Sequence, residues 1–284
     1  MNHTKEKTMQ VVFFLTACIS AISVLLICVF LFSNGLPAIK EIGLKEFLFG
    51  KIWRPSSNEF GIFPMIVGSL YVTLGALILG VPIGILTAVF MAHFCPERFY
   101  KPLKAAINLM AGIPSVVYGF FGLVVLVPFV RNNIGGYGMG VLTASMLLGI
   151  MILPTIVSVS ETAIRAVPDY YYEGGLALGA SHERSVFFVV LPAAKRGIIA
   201  SVILGLGRAI GETMAVIMVA GNQAIIPSSL TSGVRTLTTN IVMEMGYSTG
   251  LHREALIGTA VILFIFVLII NITYALLDTF GVID

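Results

Sequence analysis

The stretch VILGLGRAIGETMAVIMVA, Val202 to Ala220, has the length and the apolar character of a membrane-spanning helix, yet it contains an arginine and a glutamate. A charged side chain at the centre of a bilayer costs about 2.5–3.5 kcal/mol on insertion scales. Arg208 and Glu212 therefore require a partner or a function that offsets this cost. The stretch predicts a helix within a membrane, and it marks where a functional site is to be sought.

The composition of the whole chain is typical of an integral membrane protein. Of the 284 residues, 57% are hydrophobic and 11% are charged, whereas soluble domains carry about 25% charged residues. The formal net charge of +3 gives no clustered basic face for nucleic acid. The three cysteines have no paired or metal-ligand spacing. We therefore predict no metal, no cofactor and no nucleic-acid partner.

Six apolar segments are long enough to cross a bilayer, which takes about 20 residues. They are Val11–Phe32, Gly68–Ala92, Ala105–Val130, Met139–Glu161, Gly197–Ala220 and Ala255–Leu276. Lipid offers no hydrogen-bond partners to the backbone, so each segment is predicted to be a helix. The first is too long for the apolar region of a signal peptide and is expected to be retained. The predicted fold class is all-α, a polytopic membrane protein with six transmembrane helices.

Positive residues in the short loops predict the orientation, because they favour the cytoplasmic side. The loop His93–Lys104 has three Lys or Arg residues, and the loop Arg131–Gly138 has one. The first loop is therefore predicted to be cytoplasmic, together with Thr162–Arg196 and both termini. The long segments Ser33–Val67 and Gly221–Glu254 are then outside.

The long inner segment has signals for two short helices. Pro168 and Asp169 are typical of a helix start. Gly179 fits a helix end, Ser181 can cap a second helix, and Pro192 can break that helix before the next span. From these residues alone, an amphipathic helix pair resting on lipid and a docking element for a cytoplasmic protein both stay open.

The same segment resembles the EAA loop of ABC-importer permeases. The matching residues are Glu173, Gly174, Gly175, Gly179, Val189, Leu191 and Pro192. Two glycines replace the alanines of the motif, and valine replaces isoleucine, while the spacing matches throughout. The resemblance implies a cytoplasmic two-helix coupling loop, residues 166–196, that docks into a groove on an ATPase and transmits its closure to the spans.

Three interpretations of the charged pair stay open. Arg208 lies eleven residues beyond Gly197, about 16 Å into a core of about 30 Å. Glu212 is expected one turn further out, on the same face. The two can neutralise each other at a helix contact, or form a proton relay. In the third interpretation, Arg208 binds an anionic substrate with its planar set of donors, and Glu212 holds the guanidinium in place.

The third apolar segment offers a second candidate residue at the same predicted depth. Ser115 lies ten residues beyond Ala105, about 15 Å deep. Pro114 removes a backbone donor, while Gly112 and Gly119 permit close helix approach. Loosened helices near the midplane are typical of transport sites. A role for Ser115 in a substrate path and a simple packing kink both stay open.

Three stretches resemble the PstC-type permeases of phosphate-specific ABC importers. They are GLGRAIGETMAVIMVAGN at 205–222, AGIPSVVYGFFG at 111–122 and GVRTLTTNIVMEMGY at 233–247. PstA-type permeases share the Arg-Ala-Ile-Gly-Glu core, whereas Thr-Met-Ala-Val and VAGN favour the PstC type. The resemblance implies a multi-pass permease subunit of an inorganic phosphate importer in a bacterial or archaeal plasma membrane. It divides the chain into an N-terminal part, 1–67, and a permease core, 68–284.

The resemblance also implies partners. These are a PstA-type permease, a dimer of PstB-type ATPase subunits and an external PstS-type phosphate-binding protein. The chain has no G-x-x-x-x-G-K-[ST] loop, so ATP hydrolysis is expected in a separate subunit and the chain is predicted not to be an enzyme. A permease for another oxyanion, such as sulfate or molybdate, and a secondary anion carrier remain alternatives.

The predicted orientation can be tested by labelling single cysteines in a background without native cysteines. Cysteines placed at Ser57 and Ser229 should react with an impermeant maleimide added from outside, and one at Ser181 should react only after the membrane is opened. The reverse pattern would overturn the orientation, and with it the assignment of residues 166–196 to an ATPase.

Overall fold

The computed structural model describes residues 3–279 and the side chains of residues 6–276. Five helices in this part of the chain are long and apolar enough to cross a membrane, and a bent helix pair brings the number to six. The five are Glu6–Ile42, Phe63–Phe94, Ser115–Asn133, Val141–Arg165 and Gly250–Leu276. The predicted all-α polytopic fold is confirmed. Inner and outer denote the two membrane sides as predicted from the charges.

The first helix, α1 (His3–Ile42), packs on the protein only at its outer end. No residue of its most apolar stretch is buried inside the protein, which is favourable only in lipid. Near the outer end, a Cβ on Gly35 would lie 2.7 Å from Val261 Cγ2. Val261 belongs to the last helix, α14 (Gly250–Thr279), so α1 and α14 cross closely at this point.

A small outer unit follows α1. It consists of α2 (Leu44–Phe49), a helical turn at Pro55–Ser57 and the antiparallel strands β1 (Trp53–Arg54) and β2 (Glu59–Phe60). Its apolar side chains, including Phe47 and Phe60, are buried against the start of the next helix and against α14. The unit therefore covers the outer ends of the spans.

Two helices form the centre of the membrane part. They are α3 (Phe63–Val89), which ends in a π-helical turn at Phe90–Phe94, and α7 (Val141–Arg165). A Cβ on Gly75 would overlap the Ser145 hydroxyl, and one on Gly84 would lie 2.7 Å from Ile156 Cγ2. Small residues thus bring the two helices close together, as is typical of helix contacts in membranes.

The third span starts later than the sequence predicts. Residues 105–112 belong to α4 (Glu97–Gly112), a separate amphipathic helix. Ile113 and Pro114 are extended, since a proline disfavours helical backbone in the residue before it. The span then runs from Ser115 to Asn133 as α5 (Ser115–Phe121), a π-helical turn at Gly122–Leu126 and α6 (Val127–Asn133). The prediction of one helix over Ala105–Val130 is therefore wrong.

The fifth predicted span, Gly197–Ala220, is also broken. It consists of α11 (Lys195–Gly211) and α12 (Met214–Val219), separated by Glu212 and Thr213. Glu212 has φ −69° and ψ 129°, which is extended backbone. The prediction of one continuous helix here is wrong, and the break falls next to the two charged residues.

The inner segment forms the two predicted short helices. These are α8 (Asp169–Ala177) and α9 (His182–Ser185), which continues through a π-helical turn at Val186–Val190 into α10 (Leu191–Ala193). Gly179 lies between them with φ +84°, and the Ser181 hydroxyl caps α9 by accepting from the Arg184 N–H. The stretch from His182 to Ala193 meets α11 at 69°. The bend falls at Ala194 rather than at Pro192.

A buried carboxylate joins the outer elements. Glu244 lies in α13 (Leu237–Met245) and is 7% exposed. One of its oxygens accepts from Arg235 Nη1 at 2.7 Å, and the other lies 2.9 Å from both Trp53 Nε1 and His252 Nε2. Trp53 belongs to β1 and His252 to α14, so Glu244 connects α13 both with the helix that follows it and with a strand 191 residues earlier in the sequence.

We expect Glu244→Gln to lower the midpoint of thermal unfolding of the purified protein markedly. Breaking a buried charge pair from one side costs about 3–5 kcal/mol, because the remaining charge is left unpaired. The matched control is Glu59→Gln: its partner Arg54 is 3.9 Å away and both side chains are largely exposed, so its loss should cost at most about 1 kcal/mol. Equal midpoints for the two variants would contradict this role of Glu244.

Candidate functional site

Arg208 lies in the last turn of α11 without a carboxylate partner among the described residues. Its Nη1 donates to Thr155 Oγ1 of α7 at 3.1 Å, and this is its one hydrogen bond in the described part of the chain. A guanidinium has five N–H donors and stays protonated in proteins. Most of its donors are therefore available, and its charge is not neutralised.

Glu212 does not contact Arg208 as predicted. Because α11 ends at Gly211, Glu212 does not lie one helical turn beyond Arg208 on the same face, and the prediction of an Arg208–Glu212 contact is wrong. Its Oε1 accepts from the backbone N–H groups of Thr213 and Ala215, both at 3.1 Å. These are free donors at the start of α12, so the carboxylate stabilises the helix that follows the break.

Ser115 is the first residue of α5, directly after the break in the third span. It does not lie deep within a helix that starts at Ala105, so the depth argument for it is wrong. Its helix does approach α12: a Cβ on Gly119 would lie 2.6 Å from Met218 Sδ and 3.0 Å from the Ala215 Cα. The structure brings the two broken spans together, although Ser115 makes no hydrogen bond to Arg208 or Glu212 among the described contacts.

Several polar residues near these breaks were not singled out in the sequence. The Tyr118 hydroxyl donates to the Met110 carbonyl at 2.9 Å across the first break. The Thr238 hydroxyl, at the start of α13, donates to the Glu212 carbonyl at 3.1 Å. The third of these polar residues is Thr155, which accepts the hydrogen bond from Arg208. The sequence alone does not distinguish such residues, because hydroxyl side chains are common throughout the spans. They are recognised only from the contacts between helices that are distant in the sequence.

The inner-loop motif divides into exposed and buried residues. Glu173, Gly174, Gly179 and Pro192 are exposed, Leu191 is half-buried and Gly175 is buried. A Cβ on Gly175 would lie 2.7 Å from Ser185 Oγ, so this glycine lets α8 and α9 pack together. The exposed members are free to contact another protein.

The loop is attached to the inner end of α3 by an aromatic cluster. The Tyr172 hydroxyl lies 2.7 Å from His182 Nδ1 and joins α8 to α9. The Phe94 ring packs edge-on against His182 at 4.7 Å, and His93 packs on Tyr172 at 5.9 Å. The loop is therefore in direct contact with the inner end of α3.

A second set of contacts holds α4 against α7 at the same side. Glu161 is 1% exposed and accepts from Lys104 Nζ at 2.6 Å, Tyr100 Oη at 2.7 Å and Arg165 Nε at 3.0 Å. The hydrogen bond to Glu161 raises the pKa of the Tyr100 hydroxyl. Arg165 Nη2 also donates to the Met91 carbonyl at 2.7 Å. All the charges here are paired, which indicates a structural contact.

The broken spans and the two-helix inner loop define a membrane-embedded transport subunit. The profile of the family "Binding-protein-dependent transport system inner membrane component" matches residues 80–280. The chain belongs to this family. It is therefore a multi-pass protein of the inner membrane and not an enzyme, and its partners are the other subunits of such a system: an ATPase, a binding protein and a further permease.

Named relatives agree with this assignment. The probable ABC transporter permease protein YqgH of Bacillus subtilis is 40% identical over 228 residues, which cover 78% of this chain and 74% of the relative. The phosphate transport system permease protein PstC of Mesorhizobium japonicum is 33% identical over 265 residues, with coverage of 86% and 81%.

Solved structures of ABC transporters share the fold. The MetNI methionine transporter in an inward-facing conformation matches with a TM-score of 0.63 and 21% identity, over 82% of this chain and 100% of that one. A bacterial alginate transporter matches with a TM-score of 0.66 and 16% identity, over 98% and 97%.

We expect Gly175→Val to separate α8 from α9 and to weaken retention of the ATPase subunit. The added side chain would overlap Ser185, which is fully buried. Retention of the ATPase on the purified membrane subunits gives the measurement. The control is Gly246→Val on the outer side, where an added Cβ would have no atom within 4 Å and φ is −68°. Full retention in Gly175→Val would contradict the packing role of this glycine.

Proposed function

We propose that the chain is the PstC-type permease subunit of an ATP-driven importer of inorganic phosphate. Relatives named as phosphate permeases support this, among them those of Pasteurella multocida at 35% identity and Haemophilus influenzae at 34%. The partners of the proposed complex are a PstA-type permease, a dimer of PstB-type ATPase subunits and an external PstS-type binding protein.

The unneutralised guanidinium of Arg208 within a membrane span is the observation that carries the proposal. The free energy cost of such a charge falls when a counter-ion binds. The described residues provide a neutral hydroxyl and no carboxylate, and in the proposed complex a substrate anion would serve as the counter-ion. A guanidinium presents parallel donors that match the oxygens of a phosphate.

The position of Arg208 in the last turn of α11, next to the break after Gly211, also supports a substrate path. Discontinuous helices expose backbone groups in the membrane, which are tolerated where they line a cavity. In the proposed path Arg208 binds the anion and Glu212 keeps α12 in place through its cap. Ser115 contributes a hydroxyl at the first turn of α5.

The inner loop is the proposed ATPase dock. Its exposed residues Glu173, Gly174, Gly179 and Pro192 would contact the ATPase. Gly175 and Leu191, which are buried and half-buried, would stabilise the conformation of the loop by packing on the surface that faces the rest of the protein. This arrangement requires the loop to be cytoplasmic, which agrees with the predicted cytoplasmic location of both termini. Residues 68–284 would form the permease core, with residues 1–67 attached to its outer end.

Arg208→Ala should reduce uptake of radioactive phosphate about tenfold or more, because hydrogen bonds to a charged group contribute about 1.5–3 kcal/mol each. Arg208→Lys keeps the charge but loses the planar donors, so its uptake rate should lie between those of Arg208→Ala and the unmodified protein. Uptake is measured per assembled complex in proteoliposomes with the partner subunits. The control is Arg253→Ala, an exposed outer arginine. Inhibition by sulfate or molybdate as strong as by phosphate would reassign the substrate.

The double change Arg208→Ala with Glu212→Ala provides the decisive comparison. If Arg208 only balanced Glu212, removing both charges would restore uptake. The structure separates the two side chains, so we expect the double variant to transport no better than Arg208→Ala. Substantial recovery of uptake would show that Arg208 is a packing charge and would reject the proposed path.

A further inference from the structure

Thr155 differs from other threonines of the spans in how its hydroxyl is used. The hydroxyls of Thr87, Thr162 and Thr259 donate to the backbone carbonyl four residues earlier in their own helices, at 2.7, 2.8 and 2.9 Å. This is the usual way to satisfy such a group in a membrane helix. Thr155 Oγ1 instead accepts from Arg208 Nη1 of another helix, and this is its one hydrogen bond among the described contacts.

The backbone around Thr155 is held firmly. The residues on either side, Pro154 and Ile156, are buried, and Ile156 belongs to the hydrophobic core. A Cβ on Gly84 of α3 and one on Gly205 of α11 would lie 2.7 and 3.1 Å from Ile156. The backbone that carries the acceptor oxygen is therefore held by close packing against two other helices.

A neutral acceptor has a consequence that a carboxylate would not have. It fixes one donor of the guanidinium and leaves the full positive charge. A carboxylate at this position would neutralise the guanidinium and compete with an incoming anion for the same donors. A single hydroxyl occupies one N–H donor of the Arg208 guanidinium, leaves the other four available and fixes the orientation of the group from one side.

We propose that Thr155 is a positioning residue for the substrate anion: its hydroxyl orients the Arg208 guanidinium so that the remaining donors face the path. This inference rests on the proposed function of Arg208. It adds a residue of another helix to the site, and it identifies the ligand class as an oxyanion that is bound by a preoriented, unneutralised arginine.

The test compares Thr155→Val, which keeps the shape and removes the acceptor, with Thr155→Ser, which keeps the acceptor. Phosphate uptake is measured in proteoliposomes at saturating loaded binding protein and normalised to assembled complex. We expect Thr155→Val to lose about fivefold to tenfold in rate, in line with one hydrogen bond to a charged group, and Thr155→Ser to stay within about twofold of the unmodified protein. Thr162→Val on the same helix is the matched control, since its hydroxyl bonds only its own helix.

A double-mutant cycle separates positioning from a general effect on stability. In the Arg208→Lys background, Thr155→Val should have little further effect, because the guanidinium that it orients is absent. Additive losses would overturn the proposal, as would unchanged uptake in Thr155→Val or an equal loss in Thr155→Ser. Thr155→Ala replaces Thr155→Val in the same comparisons if the valine variant does not assemble.

The outcomes also distinguish this inference from the proposed function. If Arg208→Ala transports phosphate normally, the substrate path itself is wrong. If Arg208→Ala abolishes uptake while Thr155→Val is unaffected, the path stands and only the positioning role of Thr155 is rejected.

Discussion

Lipid offers no hydrogen bonds, and this constraint accounts for most of the contacts that organise the protein. Wherever a span is interrupted, the freed backbone groups need partners within the protein. The break after Gly211 is closed by the Glu212 carboxylate, which accepts from Thr213 and Ala215. The break before Ser115 is bridged by the Tyr118 hydroxyl, which donates to the Met110 carbonyl. The polar residues of the spans are thus used first to satisfy the backbone.

Arg208 departs from this pattern, and the proposed function gives a reason for the departure. The buried carboxylates have partners of opposite sign: Glu161 has Lys104 and Arg165, and Glu244 has Arg235. These clusters lie at the ends of the helices and connect elements. Arg208 has one neutral hydroxyl. In the proposed function, such a charge next to the break after Gly211 would bind an anion that arrives and leaves.

The helix α7 connects this region with the inner side. Its middle supplies Thr155 to Arg208, and its inner end supplies Glu161 to the contacts with α4. The inner loop contacts the end of the adjacent helix α3 through Tyr172, His182 and Phe94. A displacement of the loop by a bound ATPase would therefore act on α3, and through the close packing of α3 against α7 on the position of Thr155. Well-packed interfaces of this kind transmit shifts because they are not easily deformed.

The sequence by itself determined the membrane class, the approximate spans and the two-helix loop, because hydropathy, proline and glycine act locally. It also indicated Arg208 as a candidate site residue, since a charge in an apolar run can be recognised without a structure. It led to wrong conclusions on the two breaks. Pro114 and Glu212 lie inside apolar runs that are long enough for unbroken helices, and whether such a run breaks depends on partners supplied from elsewhere in the chain.

Only the tertiary structure decided the contacts of the site. The spacing of Arg208 and Glu212 suits an ion pair on one helix, and this geometry holds only if the helix continues. Thr155 and Thr238 reach the site from positions 53 residues before Arg208 and 26 residues after Glu212. No local pattern distinguishes them from other threonines of the spans. Their contacts follow from the packing of separate helices, and the role proposed for Thr155 depends on the group that its hydroxyl faces.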